Sequence, residues 1–414
     1  MAGQLSAPAP FTSVLLPDGL GAVPFAVEDE RGRSVLGWQV PAASDAPRGV
    51  VVLLHGVRGN RTTMVRRARF LAEAGYASVI IDLHAHGESD GERITMGDQE
   101  RFSAQAAVRY ARDAFPTLPV AVIGVSLGGA AAALASPLGV DAMVLESVYP
   151  DIESAIKHRV SAKLGAFGAL PSWLLLAQIE PRLGVARGSL RPVDRVGQVD
   201  CPLMLISGAV DPHTPAAEAE RLFEAAAEPK ELWLVPGAAH VDLHAAAEPE
   251  YETRVLAFLE QAMPLPALIL KLYVAFSFDA NGEADWEALR GHFAEGATFV
   301  SPVPPGKNPK GVNAETFLAE FQGFIRSSPL GKSGYHERVI HTRIEELGAV
   351  AHAWVTFEAF VPGEAVDRRG VDSLQFVRDA DDWKLVSFTT QYETDDLSLP
   401  QRFLPQPRLR ARSR

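Results

Sequence analysis

From residue 49 to about residue 263, short β-branched and apolar runs recur between longer stretches with helical spacing. Residues 50–54 read Val-Val-Val-Leu-Leu, a continuous run of the kind found in strands buried on both faces. Residues 77–83, 119–125, 141–145, 202–206 and 231–235 repeat the theme, and helical spacing fills 62–74, 98–114, 127–135 and 216–227 between them. Strands alternating with helices predict a mostly parallel sheet with helices on both faces. Ahead of this region, residues 23–27 and 34–40 flank Asp29-Glu-Arg-Gly32, which predicts an antiparallel hairpin at the sheet edge.

Near residue 264 the pattern changes. Ala262-Met-Pro-Leu-Pro266 reads as a linker, because prolines at that spacing stop a helix. Helices over 267–276, 285–293 and 312–325 are expected next, then long alternating strands over 335–346, 350–360, 369–378 and 383–392. In the second strand Ala351, Ala353, Val355, Phe357 and Ala359 share one face, opposite His352, Thr356 and Glu358. This predicts a smaller α+β domain over about 268–395, after a first domain over about 20–263. Residues 402–414 hold five arginines and no acid, and are expected to be a solvated, disordered tail.

Composition then narrows the partners. Acidic residues outnumber basic ones 51 to 39, and a net charge of −12 argues against nucleic acid. The single Cys201 excludes an internal disulfide and a cysteine-based zinc site, and no metal or cofactor is expected. The most apolar windows, 166–177 and 262–276, fall short of the ~20 residues a span needs, so no membrane partner is expected. No Lys or Arg precedes Arg31, which with the rest predicts a cytoplasmic protein.

The chemistry-bearing motif is Gly124-Val125-Ser126-Leu127-Gly128, a G-x-S-x-G match between an apolar strand and an alanine-rich helix. A serine hydroxyl needs a base to become a nucleophile, and the base needs an orienting carboxylate. Asp211 follows the run at 202–206, and His240 follows the run at 231–235. Both therefore lie past the carboxyl ends of parallel strands, on the same sheet edge as Ser126. Glu146 is a rival acid, and His244 a rival base expected to face outward. Stabilising a tetrahedral oxyanion takes two backbone N–H groups. Leu127 is expected to supply one, and Val57 in His55-Gly56-Val57-Arg58-Gly59 the other. His55 is read as a brace for that loop, and Arg58 and Arg61 as solvated loop charges or aids to an anionic substrate.

With these elements placed, residues 20–263 resemble the α/β-hydrolase superfamily, in its serine esterase and peptidase-like branch. The turn Asp82-Leu-His-Ala-His86-Gly87-Glu-Ser89 is similar to the family's D-x-R-G-x-G-x-S turn, with His84 in the arginine position. About fifty residues, 148–199, interrupt the alternation where the superfamily inserts a cap. The serine at the elbow disfavours the cysteine- and aspartate-nucleophile branches. Residues 268–395 resemble the NTF2-like (SnoaL-like) domains through Asp285-Trp-Glu-Ala-Leu289, Phe293-Ala-Glu-Gly-Ala-Thr-Phe299 and the last two strands. His341, His352 and Asp372 are candidate pocket residues there, with surface strand positions as the alternative.

Together these readings predict a serine hydrolase of small-molecule carboxylic esters, with Ser126, Asp211 and His240 catalytic. An amide or peptide hydrolase, or a non-catalytic binding protein acting through its second domain, are the alternatives. A homodimer through that second domain is expected. Gly331-Lys332-Ser333 lacks the upstream P-loop glycine, and Asn60-Arg61-Thr62 is a glycosylation sequon without a sign of secretion.

Overall fold

The computed structural model describes residues 6–11, 16–44, 47–116, 118–300, 308–363, 365–366, 368–379 and 382–404. The chain divides into two compact units, Met1–Ala262 and Met263–Arg414. In the first, eight strands form one sheet: β1 (Val23–Glu28), β2 (Ser34–Val40), β3 (Gly49–Leu54), β4 (Tyr76–Ile81), β5 (Val120–Val125), β6 (Ala142–Glu146), β7 (Leu203–Gly208) and β8 (Lys230–Val235). Their spatial order is β8-β7-β6-β5-β3-β4-β2-β1. Only β2 runs antiparallel to the rest; the edge strand β1 pairs antiparallel with it through a turn in which the Asp29 carboxylate accepts the N–H groups of Arg31 and Arg33.

Strand β3 is buried along its whole length between β4 and β5, with Val50 opposite both Ala77 and Val120. That position explains its unbroken apolar run. Three helices pack against the sheet: α1 (Val65–Glu73), α2 (Glu100–Ala114) and α3 (Leu127–Ala135). Helix α3 carries no polar face and is buried throughout.

Between β6 and β7 lie α4 (Ile152–Leu164), a 3-10 turn (Gly165–Gly168), α5 (Ala169–Ala177), α6 (Ile179–Leu183) and three short 3-10 turns. Ile152, Leu176, Ile179, Val185 and Leu190 give this segment its own small core. Helices α7 (Ala216–Ala225) and α8 (Glu248–Ala262) complete the unit.

The second unit differs from expectation at its start. The prolines at 264 and 266 open a helix, α9 (Pro264–Phe276), instead of forming a linker. Proline suits a first turn, where its missing N–H has no intrahelical partner and its φ is already helical. The unit is also not helices followed by a meander. Strand β9 (Phe293–Val300) follows α10 (Trp286–His292), and the short β10 (Gly311–Asn313) precedes α11 (Ala314–Ser327). Both join β11 (His336–Leu347), β12 (Val350–Phe360), β13 (Arg368–Asp379) and β14 (Asp382–Tyr392) in the order β10-β9-β14-β13-β12-β11. Strand β9 pairs in parallel with β14, a long-range match that local pattern cannot reveal.

The apolar face of β12 is buried as its alternation predicts. Its other face is partly covered too. The Thr356 hydroxyl donates to the Phe403 carbonyl, and the Phe403 ring lies 5.3 Å from Trp354. Of the arginine-rich segment, residues 405–414 lie outside the described residues. Among the described residues no single helix is long and apolar enough to cross a membrane.

Candidate active site

Strand β5 ends one residue before Ser126, and α3 starts one residue after it, so the serine must reverse the chain at a single position. Its backbone takes φ 49 and ψ −105, a strained conformation for a side chain-bearing residue. The Ser126 N–H donates to the Glu146 carbonyl (2.7 Å), which fixes the turn to the end of β6. Such a tight reversal needs small neighbours. A Cβ on Gly128 would lie 2.4 Å from the Leu54 carbonyl oxygen, and one on Gly129 2.3 Å from Val148.

Asp211 lies beyond β7 and His240 beyond β8, and the fold brings their side chains together. His240 Nδ1 is 2.7 Å from Asp211 Oδ2, so the ring donates there and leaves Nε2 as its basic nitrogen. The Asp211 carboxylate also accepts the N–H groups of His213 (2.7 Å) and Thr214 (3.0 Å) and the Thr214 hydroxyl (2.5 Å). Burial pushes its pKa up, but the hydrogen bonds from His240 and Thr214 outweigh burial and hold it at about 2. Ser126 and His240 are not hydrogen-bonded to each other in this structure. Thr214 escaped the sequence reading, although Asp-Pro-His-Thr-Pro is a turn signature in which the aspartate accepts downstream N–H groups.

The loop after β3 is held by two histidines. His55 Nε2 accepts the Leu83 N–H (3.1 Å) and Nδ1 donates to the Gly56 carbonyl (2.8 Å). His86 Nε2 accepts the Arg58 N–H (3.0 Å), while its Nδ1 donates to the His84 carbonyl (2.8 Å). Burial depresses both rings to about 4, so both are neutral at pH 7 and can accept an N–H. Between these two clamps lies Val57. Among the described residues no acceptor takes the N–H of Val57 or of Leu127. Both residues line the same cavity as Ser126, about 100 Å³ in volume.

The rival residues have other partners. Glu146 forms a two-pronged ion pair with the buried Arg67 (3.0 and 2.7 Å) and accepts the Tyr251 hydroxyl (2.6 Å). Arg67 also reaches Asp242 (2.9 Å), so one guanidinium ties the strand end behind Ser126 to the segment carrying His240. His244 does not face outward: it is buried against Phe70 and Tyr251, with Nε2 held by Glu252 (2.8 Å). Arg61 is likewise buried, not solvated, paired with Asp82 and Glu88 and stacked over Trp38, while Arg58 is exposed. Among the described residues, His244, Glu248 and Glu252 bring three possible metal ligands within 4.8 Å. Glu248 is already paired with Arg66 and Glu252 with His244.

In the second unit Asp372 lies on the core face of β13 and accepts the Tyr273 hydroxyl, so it is enclosed and not a surface residue. His352 and His341 lie on the opposite face, His352 bonded to Ser373 (3.0 Å) and His341 paired opposite Thr356.

A mostly parallel eight-stranded sheet with a strained serine between its fifth strand and the following helix defines an α/β-hydrolase. Residues 45–182 match the family described as serine aminopeptidase, S33. An uncharacterized protein of Mycobacterium tuberculosis is 31% identical over 245 residues, covering 57% of this chain and 77% of that protein. The chain thus belongs to the α/β-hydrolases through its first unit. A monoacylglycerol lipase of Mycolicibacterium smegmatis is 36% identical over 85 residues, 20% of this chain and 30% of the lipase. An esterase from Pyrococcus furiosus shares the fold with a TM-score of 0.53 at 24% identity, covering 63% of this chain and 98% of the esterase.

Proposed function

We propose that the first unit is a serine hydrolase of carboxylic esters. The observation that carries the reading is the bond from His240 Nδ1 to an Asp211 carboxylate held at about 2, on the sheet edge where the strained Ser126 sits. Nε2 of His240 takes the Ser126 proton as Oγ attacks the ester carbonyl carbon. The oxyanion forms against the N–H groups of Val57 and Leu127. Collapse expels the alcohol, which leaves with the proton from His240. Water, activated by the same nitrogen, then cleaves the acyl-enzyme and returns the serine.

The matched family's description favours a second reading, cleavage of an amide next to a free amino group. The cavity argues for the ester. Among the described residues it is lined by apolar side chains such as Met96, Ile152, Ile156 and Leu175, with Arg159 and Arg182 as its charged members and no carboxylate to hold an ammonium group. Its modest size suits a short acyl chain.

A fluorophosphonate probe should label the wild-type protein and not Ser126→Ala, whose turnover of an activated short-chain ester should fall on the order of 10⁶-fold. Labelling or hydrolysis that survives the substitution overturns the assignment. Faster release from aminoacyl amides than from esters would move the reading to the amide.

A further inference from the structure

The segment that walls the cavity also carries an apolar outer surface. Leu164, Phe167, Leu170, Trp173 and Leu174 are all exposed, Phe167 at 89% and Trp173 at 64%. They lie close together in sequence, at the end of α4, in the turn and on α5. On α5, Leu170, Trp173 and Leu174 share one face at the i, i+3, i+4 spacing; Phe167 is exposed in the 3-10 turn just ahead of it and Leu164 at the end of α4. Large aromatic and leucine side chains gathered in this way are costly in water and mark an interaction site. The inward side of the same stretch is fully used: Ser172 and Leu176 are buried and Leu175 lines the cavity.

Charge points to the occupant. Residues 148–199 hold seven basic side chains against four acidic ones, a surplus of three positive charges within a chain whose net charge is −12. Lys157, seven residues before Leu164 and so on the same flank of α4, and Lys163 beside it are both exposed. A tryptophan and phenylalanine surface rimmed by lysines is the pattern that lies at the boundary of headgroups and acyl chains on anionic membranes. The membrane span sought in the sequence is a different signal, because this patch is assembled by folding and lies on the surface.

We propose that the outer face of this segment docks the protein onto an anionic lipid surface, with Phe167 and Trp173 inserted among the lipids, and that the hydrolase site takes esters that partition into that surface. The second clause rests on the ester reading; the docking does not, since it requires no turnover.

The test is sedimentation of the full chain, carrying Ser126→Ala so that no ester is consumed, with vesicles of phosphatidylglycerol and phosphatidylcholine in equal parts. Binding should fall about tenfold or more in Phe167→Ser/Trp173→Ser, and by about as much on pure phosphatidylcholine or at high salt. A blue shift of tryptophan emission on binding should vanish in Trp173→Phe, which still binds. In the otherwise wild-type chain, Phe167→Ser/Trp173→Ser should leave hydrolysis of a soluble ester unchanged, which shows that the variant folds. Equal sedimentation of the double variant overturns docking through this face. So does a wild-type chain that binds no vesicles but is a dimer by light scattering and turns monomeric in the double variant; the patch would then seat a second copy. Vesicle binding without ester turnover in the wild type would leave docking standing and remove the ester reading.

Discussion

In the first unit the Asp211 carboxylate meets four donors and the Glu146 carboxylate a guanidinium, whereas in the second unit the buried Asp372 and the half-buried Glu337 meet hydroxyls. The consequences run in opposite directions. Asp211 is held at about 2, ready to face an imidazolium. Burial pushes Glu337 up to about 7, against the pull of the Tyr335 hydroxyl 2.5 Å away, and pushes Asp372 well above the carboxylate range. The site around Asp211 is arranged to keep a negative charge, the sites around Glu337 and Asp372 to keep a proton. The difference comes from the donors around each carboxyl, since burial alone would raise them all.

The largest effect expected from this contrast is catalytic. Asp211→Asn should lower ester turnover on the order of 10⁴-fold with the fold intact, because the amide cannot stabilise the imidazolium or fix its tautomer. A loss under tenfold would show that Asp211 is not the orienting acid and erase the contrast.

Next comes stability. Arg67→Met leaves Glu146 in the core without its cation and should cost the first unit about 3–5 kcal/mol. Chemical denaturation would measure it, and adding Glu146→Leu should recover much of the loss. A cost below about 1 kcal/mol would mean that the ion pair is incidental.

The pH dependence separates the units. Glu337 in the folded second unit holds its proton up to about 7, while the unfolded chain releases it near 4.5. Between those values the unfolded state binds fewer protons, so stability falls as pH rises, on the order of 2–3 kcal/mol by pH 8. Asp211 works with the opposite sign: its contribution is present above about 3.8 and is lost as pH falls through about 2. Hydrogen exchange in β11 of the full chain at pH 5 and pH 8, corrected for intrinsic rates, should show the loss in wild type and a flatter profile in Glu337→Gln. Equal profiles would put the carboxyl in water.

The smallest effect sharpens the picture around Asp211. Thr214→Val removes one donor of four and should lower turnover only about tenfold. It should also raise the acid limb of the rate profile, as the carboxylate loses the bond that helps hold it down. A loss as large as that of Asp211→Asn would make Thr214 an equal partner.

Much of this was legible along the chain. The period of each segment set its type, the unbroken apolar run of β3 marked a central strand, and Leu127–Ala135 and Ile152–Leu164 follow directly from local pattern. Residues in one turn could also be read locally, such as the small side chains around Ser126. What lay beyond reach depended on partners distant in sequence. Strand β9 exists because β14 lies beside it, 89 residues away at Phe299 and Phe388, and the prolines at 264 and 266 look the same whether they end a helix or begin one. Arg67 and Glu146, 79 residues apart, read singly as a helix charge and a rival acid, and Arg61 as a loop cation. Charge and period are properties of a residue and its neighbours in sequence. Burial, a carboxyl's affinity for its proton and the outward aim of Trp173 are properties of what the fold places around each side chain, so only the tertiary structure could decide them.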